Sequence, residues 1–371
     1  MVNIAFTGGG TGGHIYPGLA VALSLKELLR GLEFRIFWIG SSAGMDRSLV
    51  EDAGIEFFGV PSGKLRRYFS LKTINDFFKV IAGYFAAKKV LKKQKVSLLF
   101  SKGGFVSVPP CAAAKSLKIP VFTHESDFSP GLATKINARY AARTGGKIFT
   151  AYSDTVKFFP QKIRSFTMVT GNPVRGTFYS ADAQKGRAFL GVDDKTRILL
   201  VLGGSQGARE INDLIRGTLN ELTKIYTVVH QTGPGLSWDI PAGERYKPFP
   251  YIKEEMPHII ASAELVMGRS GAGIWEWAVL GKPMLLIPLR GSGTRGDQVE
   301  NAQVFMKANA AQVLLSPCED ELMQSVNNLA NDHKKRQEMA FASAKIAEKD
   351  SSKVIAHVLA EKIKTQFGGD V

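Results

Sequence analysis

Short apolar runs recur along the whole chain with helix-like stretches between them. They are Val2–Phe6, Phe34–Ile39, Ile55–Val60, Leu98–Phe100, Pro120–Thr123 and Lys147–Thr150, then Phe166–Val169, Ile198–Leu202, Tyr226–His230, Leu265–Met267, Met284–Pro288 and Val313–Leu315. Strand alternating with helix over the full length predicts an α/β protein whose parallel sheets are covered on both faces. We assign the first six runs to one Rossmann-like domain and the rest to another. The boundary is expected near Gly171-Asn172-Pro173-Val174-Arg175, where Gly and Asn-Pro break regular structure, giving domains of 1–170 and 171–349. The tail after Leu322, rich in Ala, Lys and Glu and free of Pro, reads as helix.

Where the first strand meets the first helix, the sequence is Phe6-Thr7-Gly8-Gly9-Gly10-Thr11-Gly12-Gly13-His14. Such a turn points free N–H groups and the positive end of the helix dipole outward, and glycine removes the Cβ atoms that would hold a phosphate away. A second loop of this kind, Gly203-Gly204-Ser205-Gln206-Gly207, follows Ile198–Leu202. Two such loops half a chain apart predict two nucleotide-type halves facing one cleft. His14 makes the first loop a candidate reaction centre, because imidazole is the side chain suited to move a proton near neutral pH.

Further polar clusters follow other strands. Ser101-Lys102-Gly103-Gly104-Phe105 reads either as a second pyrophosphate-holding turn or as a tight turn alone. In Thr123–Gly131, His124 and Glu125 either face a ligand or fix the loop. Gly268–Glu276 is again strand, glycine turn and helix; Glu276 suits a pair of ribose hydroxyls, or is an acid favoured by the helix dipole. The amides and acids of Gly291–Asn301 suit sugar hydroxyls, or form an ordinary solvated loop.

At 371 residues the chain exceeds one compact core, and 44% hydrophobic with 22% charged residues excludes disorder and fibre. Cys111 and Cys318 make neither a disulfide framework nor a zinc site. The glycine loop begins too soon for a signal peptide, and no apolar run of roughly 18 residues occurs, so a reducing cytoplasm is the expected compartment. Charge changes the picture. Between Ser62 and Lys95, ten basic residues (Lys64, Arg66, Arg67, Lys72, Lys79, Lys88, Lys89, Lys92, Lys93 and Lys95) against Asp76 supply +9 of the net +15, interleaved with aromatics such as Phe77, Phe78 and Phe85. A nucleic-acid groove is one reading, a membrane-surface helix suits the composition better, and a core-packed helix with a solvated basic face is the third.

TGGGTGGH at 7–14, HESD and PGLATKIN at 124–137, GNPVR at 171–175, GGSQGAR at 203–209, RSGA at 269–272 and DQVENA at 297–302 occur in unbroken order. Together they resemble the MurG family of N-acetylglucosaminyltransferases. The resemblance implies a GT-B fold of two Rossmann-like domains with an interdomain cleft, and a C-terminal helix, about 350–371, that completes the first domain. It implies an inverting, metal-independent enzyme without cofactor. That enzyme moves N-acetylglucosamine from UDP-N-acetylglucosamine to the muramyl 4-hydroxyl of undecaprenyl-pyrophosphoryl-MurNAc-pentapeptide (lipid I). Its partners would be donor, lipid I and an anionic phospholipid surface on the cytoplasmic face of the membrane, and not nucleic acid.

Residue by residue, it implies Thr11, Gly12 and Gly13 near the donor sugar and diphosphate, Asp127 at the N-acetylglucosamine moiety, and Arg175 and Ser205 at the phosphates. Ile252 would present backbone to uracil. Ala272, Gly273, Ile274, Trp275 and Glu276 would hold phosphate and ribose, and Gln298 the sugar hydroxyls. Lys102, Gly103, Gly104, Phe105 and Glu125 fall on the acceptor side, with His14 as base. Two other readings stay open: a GT-B transferase with a different acceptor, and a non-enzymatic nucleotide-binding module that docks on membranes or nucleic acid.

Overall fold

A computed structural model describes residues 1–10, 12–43, 46–63, 71–291 and 295–367. It divides into two compact units, Met1–Arg175 with Lys349–Val371, and Gly176–Glu348. Each is an all-parallel sheet with helices on its faces, as the unbroken apolar runs require.

The first unit holds β1 (Val2–Thr7), α1 (Gly12–Leu28), β2 (Phe34–Ser41), α2 (Asp46–Asp52), β3 (Glu56–Val60), α3 (Leu71–Lys93), β4 (Val96–Ser101), α4 (Val108–Ser116), β5 (Val121–Glu125), α5 (Leu132–Thr144), β6 (Ile148–Thr150) and β7 (Thr167–Val169). The strand order is β3-β2-β1-β4-β5-β6-β7. The run 166–169, grouped with the second series of runs although it falls within 1–170, is the last strand of this first sheet. It pairs with β6 in parallel, Ile148 beside Thr167, after a connection of two short 3-10 turns in place of a full helix.

One face of α3 packs inward through Gly83, Ala87 and Leu91, with Gly83 against Pro61 and Pro109. The opposite face leaves Phe77, Phe78, Ile81 and Phe85 exposed by 57%, 63%, 40% and 62%. These four share one side of a helix, so the exposure is a continuous apolar stripe and not scattered single residues. Core packing and an outward aromatic face, weighed from sequence as alternatives, coexist on this helix. Lys64, Arg66 and Arg67 lie outside the described residues.

The second unit runs α6 (Gly176–Tyr179), α7 (Ala183–Leu190), β8 (Ile198–Leu202), α8 (Arg209–Ile225), β9 (Thr227–Gln231), β10 (Tyr246–Phe249), α9 (Met256–Ser262), β11 (Leu265–Gly268), α10 (Ile274–Val279), β12 (Met284–Leu286), α11 (Asp297–Lys307), β13 (Ala311–Val313), α12 (Glu319–Asn331) and α13 (His333–Ile346). The order is β10-β9-β8-β11-β12-β13. Strand β10 has no counterpart among the apolar runs: Tyr-Lys-Pro-Phe is short and polar, and its proline is tolerated because the strand lies at the sheet edge. The chain then returns through α14 (Ser351–Phe367), which buries Ile355, Ala356, Leu359 and Ile363 in the core of the first unit with Leu19, Ala22 and Leu25 of α1. Ser351 donates to the Thr170 carbonyl at 2.5 Å, tying the start of α14 to the end of β7.

At the amino edge of the second sheet, Glu264 collects Arg197 (2.7 Å), the Tyr226 hydroxyl (3.1 Å) and Arg336 (3.1 Å). Burial alone would raise the Glu264 pKa, but the hydrogen bond from Arg197 and the charges of Arg197 and Arg336 outweigh it and hold the carboxyl below its ordinary 4.5. A depressed carboxylate contributes stability that is present above the ordinary value and lost as pH falls through its own. Glu264→Ala leaves Arg336, 9% exposed, without its carboxylate. The variant is expected to lose about 3 kcal/mol, the lower end for breaking a buried pair, read as a lower urea midpoint at pH 7. The gap to wild type should narrow as pH falls below the ordinary 4.5 and the carboxylate is protonated.

Candidate active site

In an open parallel sheet, helices on the two sides of the strand-order reversal leave opposite faces, and a crevice opens at the carboxyl ends of the two strands there. The reversal falls between β1 and β4 in the first sheet and between β8 and β11 in the second. Four of the glycine turns follow these four strands. In each sheet the two turns are therefore neighbours, held by parallel pairing that reaches Thr7 beside Ser101 and Leu202 beside Gly268.

In the first unit the two turns meet backbone to backbone. Gly103 and Gly104 have φ of +88° and +77°. A Cβ on Gly104 would stand 2.5 Å from the Gly9 carbonyl oxygen and 3.2 Å from the His14 ring. His14 is the third residue of α1 and half-buried, so its ring lies over the Gly103–Gly104 turn at the end of a helix whose first N–H groups have no intrahelical partner. Gly12 is buried and Gly13 exposed, and Phe105 packs on Gly10, where a Cβ would be 2.8 Å from its ring. Thr11 lies outside the described residues.

Buried groups hold this arrangement from behind. The Asp46 carboxylate accepts from the Gly10 N–H at 3.1 Å; burial raises its pKa, against the lowering by the Gly10 and Ser41 N–H groups. Trp38 donates its indole N–H to the Gly8 carbonyl at 3.0 Å. Asn137 of α5 donates to Ser101 (3.1 Å) and Ser107 (2.8 Å), which in turn bind the Gly103 N–H and the Gly104 carbonyl.

The segment after β5 is built the same way. Glu125 is buried and accepts the N–H groups of Asp127 and Gly131, each at 3.0 Å, one on each oxygen. Of its two sequence readings, this geometry is that of a loop-fixing carboxylate. His124 is buried and held neutral, because desolvation takes its pKa well below the ordinary value, and its Nε2 lies 2.9 Å from the Gly171 carbonyl. Lys102 is 1% exposed, with its ammonium on Ser126 and away from solvent. Asp127 is half-buried, and Arg175 lays its guanidinium over the Tyr16 ring at 4.6 Å.

In the second unit side chains make the ties. Ser205 is exposed in the 203–207 turn, where Gly204 and Gly207 have φ of +94° and +76° and α8 begins at Arg209. Gln231, at the end of β9, donates to the Gly204 carbonyl (3.1 Å) and accepts from the Ile252 N–H (2.9 Å), so one amide fixes both the turn and Ile252. Arg269 joins Glu210 of α8 (2.7 Å) to the Ile287 carbonyl (2.9 Å). Ser270 donates to the Gln298 carbonyl (2.7 Å), and the Gln298 amide oxygen accepts from the Leu289 N–H (2.9 Å). Ile274 and Trp275 turn their side chains into the core, Trp275 edge-on to Phe305, so only their backbone is left to meet a ligand. Ala272 and Glu276 are half-buried and Gly273 exposed.

Residues 4–145 match the glycosyltransferase family 28 N-terminal domain, and residues 198–355 its C-terminal domain. A Treponema denticola protein is 46% identical, covering 97% of this chain and 97% of its own. One from Staphylococcus carnosus is 44% identical, over 85% of this chain and 84% of its own. Both are named UDP-N-acetylglucosamine--N-acetylmuramyl-(pentapeptide) pyrophosphoryl-undecaprenol N-acetylglucosamine transferase. The chain belongs to the MurG family. The crystal structure of Acinetobacter baumannii MurG superposes with a TM-score of 0.71 at 24% identity, over 97% of this chain and all of that one. The calicheamicin glycosyltransferase CalG4 follows with 0.67 at 15%, over 99% and 100%. The fold is GT-B.

Asp46, Trp38, Asn137 and Gln231 had no role in the sequence reading. Asn137 alone was signalled, as the last residue of the PGLATKIN motif. The glycine contact yields a direct prediction. Gly104→Ala combines a left-handed φ with a clash, whereas Gly145, at φ +72° with open space around it, carries only the first burden. We expect Gly104→Ala to cost about 2–3 kcal/mol and Gly145→Ala about 1 kcal/mol, measured by urea unfolding, with turnover lost only in the first.

Proposed function

We infer that this chain transfers N-acetylglucosamine from UDP-N-acetylglucosamine to the muramyl 4-hydroxyl of lipid I, giving lipid II in peptidoglycan synthesis. Membership of the MurG family across nearly the whole chain carries this reading. The first unit serves the acceptor and the second the donor.

Transfer with inversion is a single displacement at the anomeric carbon, so the incoming hydroxyl needs a base and the departing UDP needs its charge compensated. His14 is the base in our reading. Its half-buried ring over two glycines leaves the acceptor hydroxyl a path that any Cβ would narrow. Negative charge growing on UDP is met by the N–H groups around Ser205 and the N-terminal end of α8, and the family resemblance assigns Arg175 to the phosphates as well. With those fixed positive groups a divalent ion is dispensable.

The family resemblance assigns Thr11, Gly12 and Gly13 to the donor sugar and diphosphate, and Asp127 to the N-acetylglucosamine moiety. Ala272 to Glu276 hold phosphate and ribose, the last through its carboxylate. Gln298 offers its NH2 to sugar hydroxyls, since its oxygen is committed to Leu289. Ile252 offers uracil its carbonyl, since its N–H is committed to Gln231. On the acceptor side Gly103, Gly104 and Phe105 face the substrate, while Glu125 and Lys102 act from beneath.

His14→Ala should lower kcat by about 10²–10⁴-fold, the range for a general base, while calorimetry shows UDP-N-acetylglucosamine affinity nearly unchanged. Turnover close to wild type would require a different base. The wild-type rate is expected to be indifferent to EDTA.

The acceptor is lipid-linked, so the enzyme must meet a membrane, and α3 supplies the means. It follows β3 and starts at the carboxyl edge, which places Phe77 and Phe78 toward the same edge as His14, with Lys88, Lys89, Lys92 and Lys93 farther along. Aromatic bulk entering an acyl boundary beside lysines that meet anionic headgroups is a peripheral docking surface, on the cytoplasmic face in this reading. Among the described residues no helix is long and apolar enough to cross a membrane. Replacing Phe77, Phe78 and Phe85 by Ser removes about 1 kcal/mol each. Partition onto anionic vesicles should therefore fall about 100-fold, with activity on a water-soluble acceptor retained. Unchanged sedimentation with vesicles would move the docking surface elsewhere.

A further inference from the structure

Lys102 leaves β4 with its N–H on the Thr7 carbonyl at 2.8 Å, and its stem passes the glycine loop and α1: a Cβ on Gly8 would be 3.1 Å from the Lys102 Cβ, and one on Gly18 3.5 Å. Its ammonium donates to the Ser126 hydroxyl at 2.5 Å, and Ser126 donates to Asn172 Oδ1 at 2.7 Å. The three side chains are 1%, 4% and 3% exposed. Three residues beyond Asn172, Arg175 comes back onto Tyr16 of α1. One buried chain thus links the turn under His14, the loop carrying Asp127 and the segment carrying Arg175.

We propose that Lys102 is a positioning residue whose buried ammonium holds these three segments in the arrangement the transfer reaction needs. The proposal rests on the function inferred above and adds a role for a residue that does not itself touch substrate.

A stabilising strut would be expected to favour the fold, and this one opposes it. Desolvation pushes the Lys102 pKa down to about 8, against the pull of the Glu125 and Asp127 carboxylates. The unfolded chain keeps that proton up to the ordinary 10.5. Between these values the unfolded state therefore binds more protons, and stability rises with pH. Below about 8 the charge costs stability. The titratable and charged groups on the surrounding elements are His124, Glu125 and Asp127 of β5 and its loop, His14 and Tyr16 of α1, and Arg175. His124 is neutral and does not compete for the site.

The test is Lys102→Met, which keeps length and removes charge, assayed beside Ser126→Ala and wild type. We expect Lys102→Met to melt at or above the wild-type temperature at pH 7 yet to lose about 10–100-fold in kcat/KM, the scale of an ångström misplacement. Wild-type kcat/KM is expected to fall as pH rises through about 8, that fall should be absent from Lys102→Met, and Ser126→Ala should show part of the loss. Full activity in Lys102→Met, or a loss that tracks a lowered melting temperature, overturns the proposal. An inactive wild type would instead overturn the function on which it rests.

Discussion

The approach of one bare backbone to another organises the first unit. Gly9 and Gly104 meet with no room for a methyl group, and they meet because parallel pairing of β1 with β4 brings their following turns side by side at the strand-order reversal. The buried supports follow from that contact. Asp46 and Trp38 hold the first turn by its backbone, and Ser101, Ser107 and Asn137 hold the second. His14 inherits its position from both, since its helix begins where the first turn ends and its ring rests on the second.

The second unit solves the same topological problem with side chains. Gln231 spans from Gly204 to Ile252, Arg269 from α8 to the end of β12, and Ser270 from the β11 turn to α11. The ionic cluster around Glu264 lies at the opposite edge of the sheet. Stability gathered there leaves the carboxyl edge free for exposed groups such as Ser205 and Gly273, which a tightly packed edge would cover.

Strands and glycine turns were legible in the sequence because both are local signals: an apolar run needs burial wherever it goes, and a glycine cluster after a strand has few other uses. Strand β10 was not, since Pro248 and Lys247 erase the apolar signal that an edge strand does not need. Residues 166–169 read as a strand, but their sheet depended on pairing with β6, which no local pattern encodes. Asp46, Trp38 and Gln231 were missed for a related reason: each serves a loop 21 to 36 residues away. Glu125 and Lys102 were recognised as special, and the burial that turned one toward backbone N–H groups and the other toward Ser126 is a property of the packed loop alone.

Single displacement of UDP with inversion is the central claim, and the product reports it directly. Purified protein incubated with UDP-N-acetylglucosamine and a short-chain lipid I analogue, followed by NMR of the sugar anomeric protons, should give UDP and a β-1,4-linked disaccharide in equal amounts. Release of UDP without disaccharide, or a product with retained anomeric configuration, would contradict the account.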